Sequence, residues 1–294
     1  MTILAGVLLT SMVVSGSGPM DHLHEKIQQA LAGTQGTFAV AFEDLSTGRQ
    51  LFINERVMFH AASTMKTPVL IELFRQSERG TLKLSDSMLV RNSFKSIVDG
   101  SPYALSAGDD SDDSLYSRIG TRMPMRELIE HMMTVSSNLA TNILIEEVGA
   151  QQVTATMRSL GADSIRVLRG VEDIKAYDLG MNNVTTAYDL MVIMKAIATG
   201  KAASKASCRE MMSILERQEF NDIIPALLPV DVNVAHKTGS ITNVEHDSGI
   251  VTLPDGRRYA LVLLSKDLRS NKEGREALAR VSKLVYDAMI QGKD

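Results

Sequence analysis

A chain of 294 residues, 44% hydrophobic and 22% charged, has ample material for a buried core and the composition of an ordinary globular protein. Its formal net charge of −4, with no run rich in Lys or Arg, argues against nucleic acid or an anionic membrane as partner. A single cysteine, Cys208, excludes an intrachain disulfide and any zinc site built on cysteines. No pair of histidines has the helical spacing of metal ligands, so neither metal nor cofactor is expected.

Residues 2–14 form an apolar run that ends in Ser15-Gly16-Ser17-Gly18-Pro19. The run is short for a membrane span and has the apolar centre and small-residue end of an export signal, although no Lys or Arg precedes Lys26. Residues 1–18 are therefore read as a leader to the periplasm or medium, and 19–294 as one domain. Asp21 to Ala32 has helical spacing, with Leu23, Ile27 and Leu31 on one face. Thr37–Asp44 and Gln50–Ile53 read as paired strands around the turn Ser46-Thr47-Gly48. A helix then opens at Ser63 and runs to about Arg79, stopped by Gly80, with Val69, Leu70 and Leu73 as its apolar stripe. Ser63 is expected to cap its first turn. Leu82 to Asp113 is irregular and polar. Asp109-Asp110-Ser111-Asp112-Asp113 lacks the glycine and terminal glutamate of a calcium loop and reads as a solvated surface insertion.

Further helices are expected over Met125–Thr134, Asn138–Val148, Gln151–Leu160, Ala187–Ala198 and Lys205–Leu215. Between them, Gly161 to Thr186 is weakly periodic, and a long irregular segment inside a compact domain is usually functional. Asn221 to Leu227 is a short helical turn at most. The period then changes: Val232–Thr238, His246–Leu253 and Tyr259–Ser265 read as strands, with Pro254-Asp255-Gly256 as a hairpin turn. Glu273 to Ile290 is a closing helix. These elements predict an α/β (α+β) fold: an antiparallel sheet of about five strands built from both chain ends and covered by helices. The sheet part would span about 20–60 and 220–294, and an inserted all-helical part about 61–219.

Three short stretches carry chemistry. In Ser63-Thr64-Met65-Lys66 the lysine returns to the face of the serine, and a serine hydroxyl needs such a base to become a nucleophile. Lysine serves as base only when burial or nearby positive charge lowers its pKa. Ser136-Ser137-Asn138 stands where one helix ends and another begins, a junction that presents polar side chains into a cleft. Lys237-Thr238-Gly239-Ser240 ends a strand. There Gly239 allows a substrate carbonyl to approach, Lys237 supplies positive charge, and the Ser240 N–H with that of Ser63 would form an oxyanion hole. Taken singly, these are a capped helix with a surface lysine, a plain helix cap and a strand end with a solvated lysine. His236 and His246 read as strand residues that face solvent or pack, not as catalysts.

The ordered trio Ser-x-x-Lys, Ser-x-Asn and Lys-Thr-Gly resembles that of the class A serine β-lactamases and the related penicillin-binding D-alanyl-D-alanine peptidases, over about residues 20 to 290. The resemblance implies roles. Ser63 would be acylated and Lys66 would relay its proton. Ser136 would hydrogen-bond Lys237 and protonate the leaving nitrogen, while Asn138 would hold the substrate's side-chain amide. Lys237 and Thr238 would bind its carboxylate, and the N–H groups of Ser63 and Ser240 would polarise the lactam carbonyl. The family often has Asp at the middle of the second motif, where Ser137 stands here.

Class A enzymes also carry a glutamate in an Ω-shaped loop that activates the deacylating water. Glu172, 36 residues after Ser136, occupies that place. Its surroundings depart from the family pattern: Asp173 stands for the usual proline, Ala176 for the asparagine that helps hold the water, and Asn183 for a loop-closing Asp. Arg169 would then pair with Asp173 or Asp178, the loop would be looser at 173, and turnover would be slow. The expected protein is a monomeric β-lactam hydrolase. The alternatives are a D-alanyl-D-alanine carboxypeptidase or transpeptidase and a penicillin-binding sensor domain without turnover. Removal of residues 2–18 is expected to leave folding and activity intact, as judged by circular dichroism and by hydrolysis of a chromogenic cephalosporin.

Overall fold

The computed structural model describes residues 19–291, so the expected leader lies outside them. In chain order, helix α1 (Pro19–Ala32) leads into strands β1 (Thr37–Asp44), β2 (Gln50–Ile53) and β3 (Phe59–His60). A 3₁₀ turn (Ala62–Met65) then opens α2 (Lys66–Glu78). Four short strands follow: β4 (Ser87–Leu89), β5 (Phe94–Lys95), β6 (Pro102–Tyr103) and β7 (Arg122–Pro124). Next come α3 (Met125–Thr134), α4 (Asn138–Val148), α5 (Ala150–Ser159), α6 (Ile174–Asp178) and β8 (Val184–Thr185). The chain closes with α7 (Ala187–Ala198), α8 (Lys205–Leu215), β9 (Asn233–Ile241), β10 (Val244–Thr252), β11 (Arg258–Lys266) and α9 (Asn271–Gln291).

Alternation along the strands sets the layers. In β1, Phe38, Val40 and Phe42 face one way, into a core shared with Leu23, Ile27 and Leu31 of α1 and with Leu278, Val281 and Val285 of α9. Ala39 and Ala41 face the other way and meet the helical layer that includes α2 and α7. β11 divides in the same manner, with Tyr259, Leu261 and Leu263 on the first face and Ala260, Val262 and Leu264 on the second. Both faces are covered, so these strands read as continuous apolar runs. The sheet is antiparallel in the order β2-β1-β11-β10-β9, which joins the two chain ends as expected. Its β9 is an edge strand.

The polar middle segments hold more order than their patterning suggests. Leu82 to Asp113 contains β4, β5 and β6, paired with β7 or with each other, and Gly161 to Thr186 contains α6 and β8. Ladders of two or three residues carry no readable period. Asn221 to Leu227 forms bends and turns without a helix. His236 and His246 are both buried, so the solvent-facing option is excluded. The His236 ring joins the Asp247 carboxylate (2.9 Å) to Asn221 (3.2 Å), while Asp247 also accepts from the Ile224 N–H at 3.0 Å. This buried cluster fixes residues 221–224 against the sheet. His246 donates from Nε2 to the His60 carbonyl (2.9 Å), and burial pulls its pKa down to about 4, so the ring is neutral. Among the described residues no helix is long and apolar enough to cross a membrane.

Candidate active site

Ser63 does not cap α2. It lies inside the 3₁₀ turn, which has no side-chain cap, and lines the cleft between the sheet edge and the helical layer. The turn is held from outside. Ala62 has φ +44°, a left-handed conformation costly for alanine. Its N–H donates to His60 Nδ1 at 3.0 Å, and Thr64 donates from both Oγ1 (2.6 Å) and N (3.1 Å) to the Ala61 carbonyl. Burial, then the charge of Arg169, push the His60 pKa down and favour the neutral ring that accepts this bond.

Lys66 is fully buried, not a surface lysine. Its Nζ donates to the Ser136 carbonyl (2.6 Å), Ser136 Oγ (3.0 Å) and Asn138 Oδ1 (3.1 Å). Burial lowers its pKa to about 7, against the pull of Asp110 and Glu172. Two of its three partners only accept. A neutral amine therefore keeps its two protons on them and turns its lone pair toward the Ser136 hydroxyl.

Ser136 has φ +59° and occupies the joint between α3 and α4. Ser137, the middle residue of the motif, caps α4 by accepting from the Ala140 N–H at 3.3 Å. Asp110 does the same, accepting from the N–H groups of Asn138 and Leu139, both at 2.9 Å. Asp112 is buried and joined to Ser114 and His131. Asp110 and Asp112 are thus built into the site wall, Asp110 because the positive end of α4 attracts its carboxylate, while Asp109, Ser111 and Asp113 are exposed as expected.

Lys237 is also fully buried and donates to Ser136 Oγ and to the Thr238 carbonyl, each at 3.1 Å. Burial pushes its pKa well down, Lys66 pushes further, and Asp247 opposes. One hydroxyl, that of Ser136, therefore links two buried lysines. Beside them, Gly239 packs against the Ser63 turn. A Cβ on it would lie 3.0 Å from Ser63 N and 3.1 Å from Thr64 N. Ser240 pairs with Glu245 across β9–β10 and donates its hydroxyl to that carboxylate at 3.0 Å. Ser63, Ser136, Asn138, Thr238, Gly239 and Ser240 line one cavity of about 360 Å³, the size of a small-molecule site.

Glu172 reaches the same cluster. Its Oε1 accepts from Asn138 Nδ2 at 3.0 Å, so the Asn138 amide spans Lys66 on one side and Glu172 on the other. Burial raises the Glu172 pKa, the Asn138 bond lowers it, and Asp110 raises it again. Arg169 forms no ion pair with Asp173 or Asp178. It donates to the carbonyls of Met181 (3.0 Å) and Gly170 (2.9 Å) and to Asn182 Oδ1 (3.0 Å). Asn183 closes the neck of the loop: its Oδ1 accepts from the N–H groups of Leu168 (2.8 Å) and Arg169 (3.2 Å), and its Nδ2 donates to the Arg169 carbonyl (3.0 Å). Ala176 is buried and offers only its backbone.

The sequence model described as the beta-lactamase enzyme family matches residues 22–289. The chain belongs to this family. A β-lactamase of Bacteroides uniformis is 22% identical, covering 92% of both chains. A solved β-lactamase of Sphaerobacter thermophilus is similar at 25% identity with a TM-score of 0.78, over 92% of this chain and 97% of the other. A variant of PBP-A, solved as an acyl-enzyme complex with penicillin G, is 28% identical with a TM-score of 0.78, over the same shares.

Within the β-lactamase frame, sequence reasoning missed His60, Asp110 and Asn142. His60 and Asp110 act on backbone groups of the site, and Asn142 grips the loop of Glu172 at Val171. None has a spacing that announces such a partner. In this β-lactamase family member, Gly239→Ala is expected to lower kcat by about 100-fold, the scale of losing one oxyanion donor. Steady-state hydrolysis of a chromogenic β-lactam, with thermal melting as the control for folding, checks this.

Proposed function

We propose that the protein is a serine β-lactamase that opens the β-lactam ring through an acyl-enzyme on Ser63, with residues 19–294 as one catalytic domain. The observation that carries the reading is the buried chain Lys66–Ser136–Lys237 beside the Ser63 turn. Neutral Lys66 takes the Ser63 proton, and Oγ attacks the lactam carbonyl. The N–H groups of Ser63 and Ser240 receive the developing oxyanion. As the C–N bond breaks, Ser136 gives its proton to the ring nitrogen and is reprotonated from Lys66. Lys237 and Thr238 hold the substrate carboxylate, and Asn138 its side-chain amide. Glu172 then takes a proton from water, which attacks the ester carbonyl; as the bond to Oγ breaks, that proton returns to Oγ and Ser63 is released.

The β-lactamase names of the relatives and the penicillin acyl-enzyme of PBP-A support this reading. All of the residues named belong to one chain, which is consistent with a monomer. The apolar run before Pro19 supports export to the periplasm or medium. A D-alanyl-D-alanine peptidase is the second reading, favoured by Ala176, whose side chain cannot hydrogen-bond a water at Glu172. Positioning contributes much of such a rate, so deacylation limits turnover.

Two outcomes test the reading. Ser63→Ala is expected to abolish both turnover and the mass adduct with penicillin, whereas Glu172→Gln should accumulate the acyl-enzyme with its formation little changed. Mass spectrometry under single turnover reads both, and parental turnover by Glu172→Gln would transfer the case to the peptidase. The acylation rate should also rise with pH through about 7, because the neutral Lys66 that acts as base gains population as its proton leaves. At acid pH deacylation should weaken, since burial raises the Glu172 pKa and the base is protonated sooner than an exposed carboxylate. Stopped-flow acylation and deacylation rates from pH 5 to about 9 separate the two limbs.

A further inference from the structure

Glu172 sits at φ +62°, a left-handed conformation that a side chain other than glycine keeps only when its surroundings impose it. Its two neighbours are gripped from opposite sides. On the N-terminal side, Val171 N donates to Asn142 Oδ1 (2.6 Å), and the Val171 carbonyl accepts from Asn142 Nδ2 (3.0 Å) and from the Tyr103 hydroxyl (3.4 Å). That grip depends on Gly170, where a Cβ would lie 2.4 Å from Asn142 Oδ1. On the C-terminal side stands Asp173, in the place where the resemblance leads one to expect proline.

Asp173 is buried, and its carboxylate is fully engaged. Oδ1 accepts from the Ser96 hydroxyl (2.8 Å) and from the Ala176 N–H (3.2 Å), and Oδ2 accepts from the Ile97 N–H (2.9 Å). One bond starts α6, and the other two tie the loop to the hairpin of β5 and β6. The same hairpin supplies Tyr103 to Val171. A second tie, from Lys175 to Asp99 (2.9 Å) and Ser101 (2.6 Å), is exposed and correspondingly weaker. The loop therefore has no ion pair of its own between Arg169 and an Asp. It is held from outside, on both sides of Glu172, by one hairpin and one amide.

We propose that Asp173 is a positioning residue for deacylation: by strapping the loop to residues 96–97 it keeps the Glu172 backbone in its strained state and the carboxylate at Asn138. The proposal rests on the reading of Glu172 as the base. Without the strap, Glu172 is free to relax toward negative φ, which withdraws its carboxylate from Asn138 and from the water. Ser63, Lys66, Ser136 and Lys237 make no bond to Asp173, so acylation is not touched. A residue that served only to stabilise the fold would lower both steps together.

The test compares single-turnover acylation and deacylation of Asp173→Ala, Asp173→Asn, Ser96→Ala, Glu172→Gln and the double variant Glu172→Gln/Asp173→Ala, with thermal melting for each. Asp173→Ala is expected to slow deacylation about tenfold or more and to leave acylation within about twofold, on the scale of a misplaced catalytic group. Asp173→Asn, which keeps the Oδ1 acceptor, should restore part of the rate. The double variant should deacylate no more slowly than Glu172→Gln alone. If Asp173→Ala does not fold, Ser96→Ala, which removes one of the three bonds, carries the same expectation at a smaller size. Unchanged deacylation in these folded variants while Glu172→Gln is blocked overturns the strap alone, as does an equal loss of both steps. Parental turnover by Glu172→Gln overturns the base assignment, and the strap's role with it.

Discussion

The site depends on burying two lysines around one hydroxyl. Lys66 and Lys237 have no exposed surface, and both donate to Ser136 Oγ. Burial of an amine disfavours its charge, and Lys66 makes the charge of Lys237 less favourable still. The fold offsets this with fixed acceptors: the Ser136 carbonyl and Asn138 Oδ1 for Lys66, and the Thr238 carbonyl for Lys237. Three parts of the fold must meet to supply them. Lys66 comes from α2, Ser136 and Asn138 from the joint of α3 and α4, and Lys237 from the edge strand β9. The cleft therefore lies where the helical layer closes on the open edge of the sheet.

Backbone strain concentrates at the same place. Six described residues other than glycine have positive φ, and three of them, Ala62, Ser136 and Glu172, stand at the Ser63 turn, the shared hydroxyl and the loop carboxylate. Each is fastened at its own backbone or through the residues beside it: His60 at the Ala62 N–H, Ser111 and Lys66 at the Ser136 carbonyl, and, around Glu172, Asn142 on the Val171 backbone and Ser96 and Ile97 on the Asp173 carboxylate. Such strain persists only in a surround that over-determines it. The polar residues behind the site are therefore as specific as those that face the cleft.

Much of the architecture was legible in the chain. The apolar runs of Thr37–Asp44 and of the C-terminal segments, bounded by turn residues, determined the strands, because a strand covered on both faces carries apolar side chains on each. Helical spacing located α1 to α5 and α7 to α9, and the trio of motifs located Ser63, Lys66, Ser136, Asn138 and Lys237. These signals are local: periodicity, turn residues and short spacings act within a few residues and need no knowledge of the rest of the fold.

What tertiary structure alone decided is which groups meet across long separations. Asp110 looked solvated because nothing near it in sequence reveals that α4 will present free N–H groups to it. Asp173 looked like a loosened loop, because its partners Ser96 and Ile97 lie more than seventy residues away. The expected Arg169 ion pair gave way to the carbonyls of Met181 and Gly170 and to the side-chain amide of Asn182, since a buried guanidinium takes the acceptors that the folded loop turns toward it. The sequence determined the strands, most helices and the motif side chains that meet at the cleft, because those follow from local chemistry. The burial of both lysines, and with it their lowered pKa, was decided only when the sheet edge and the helical layer closed over them.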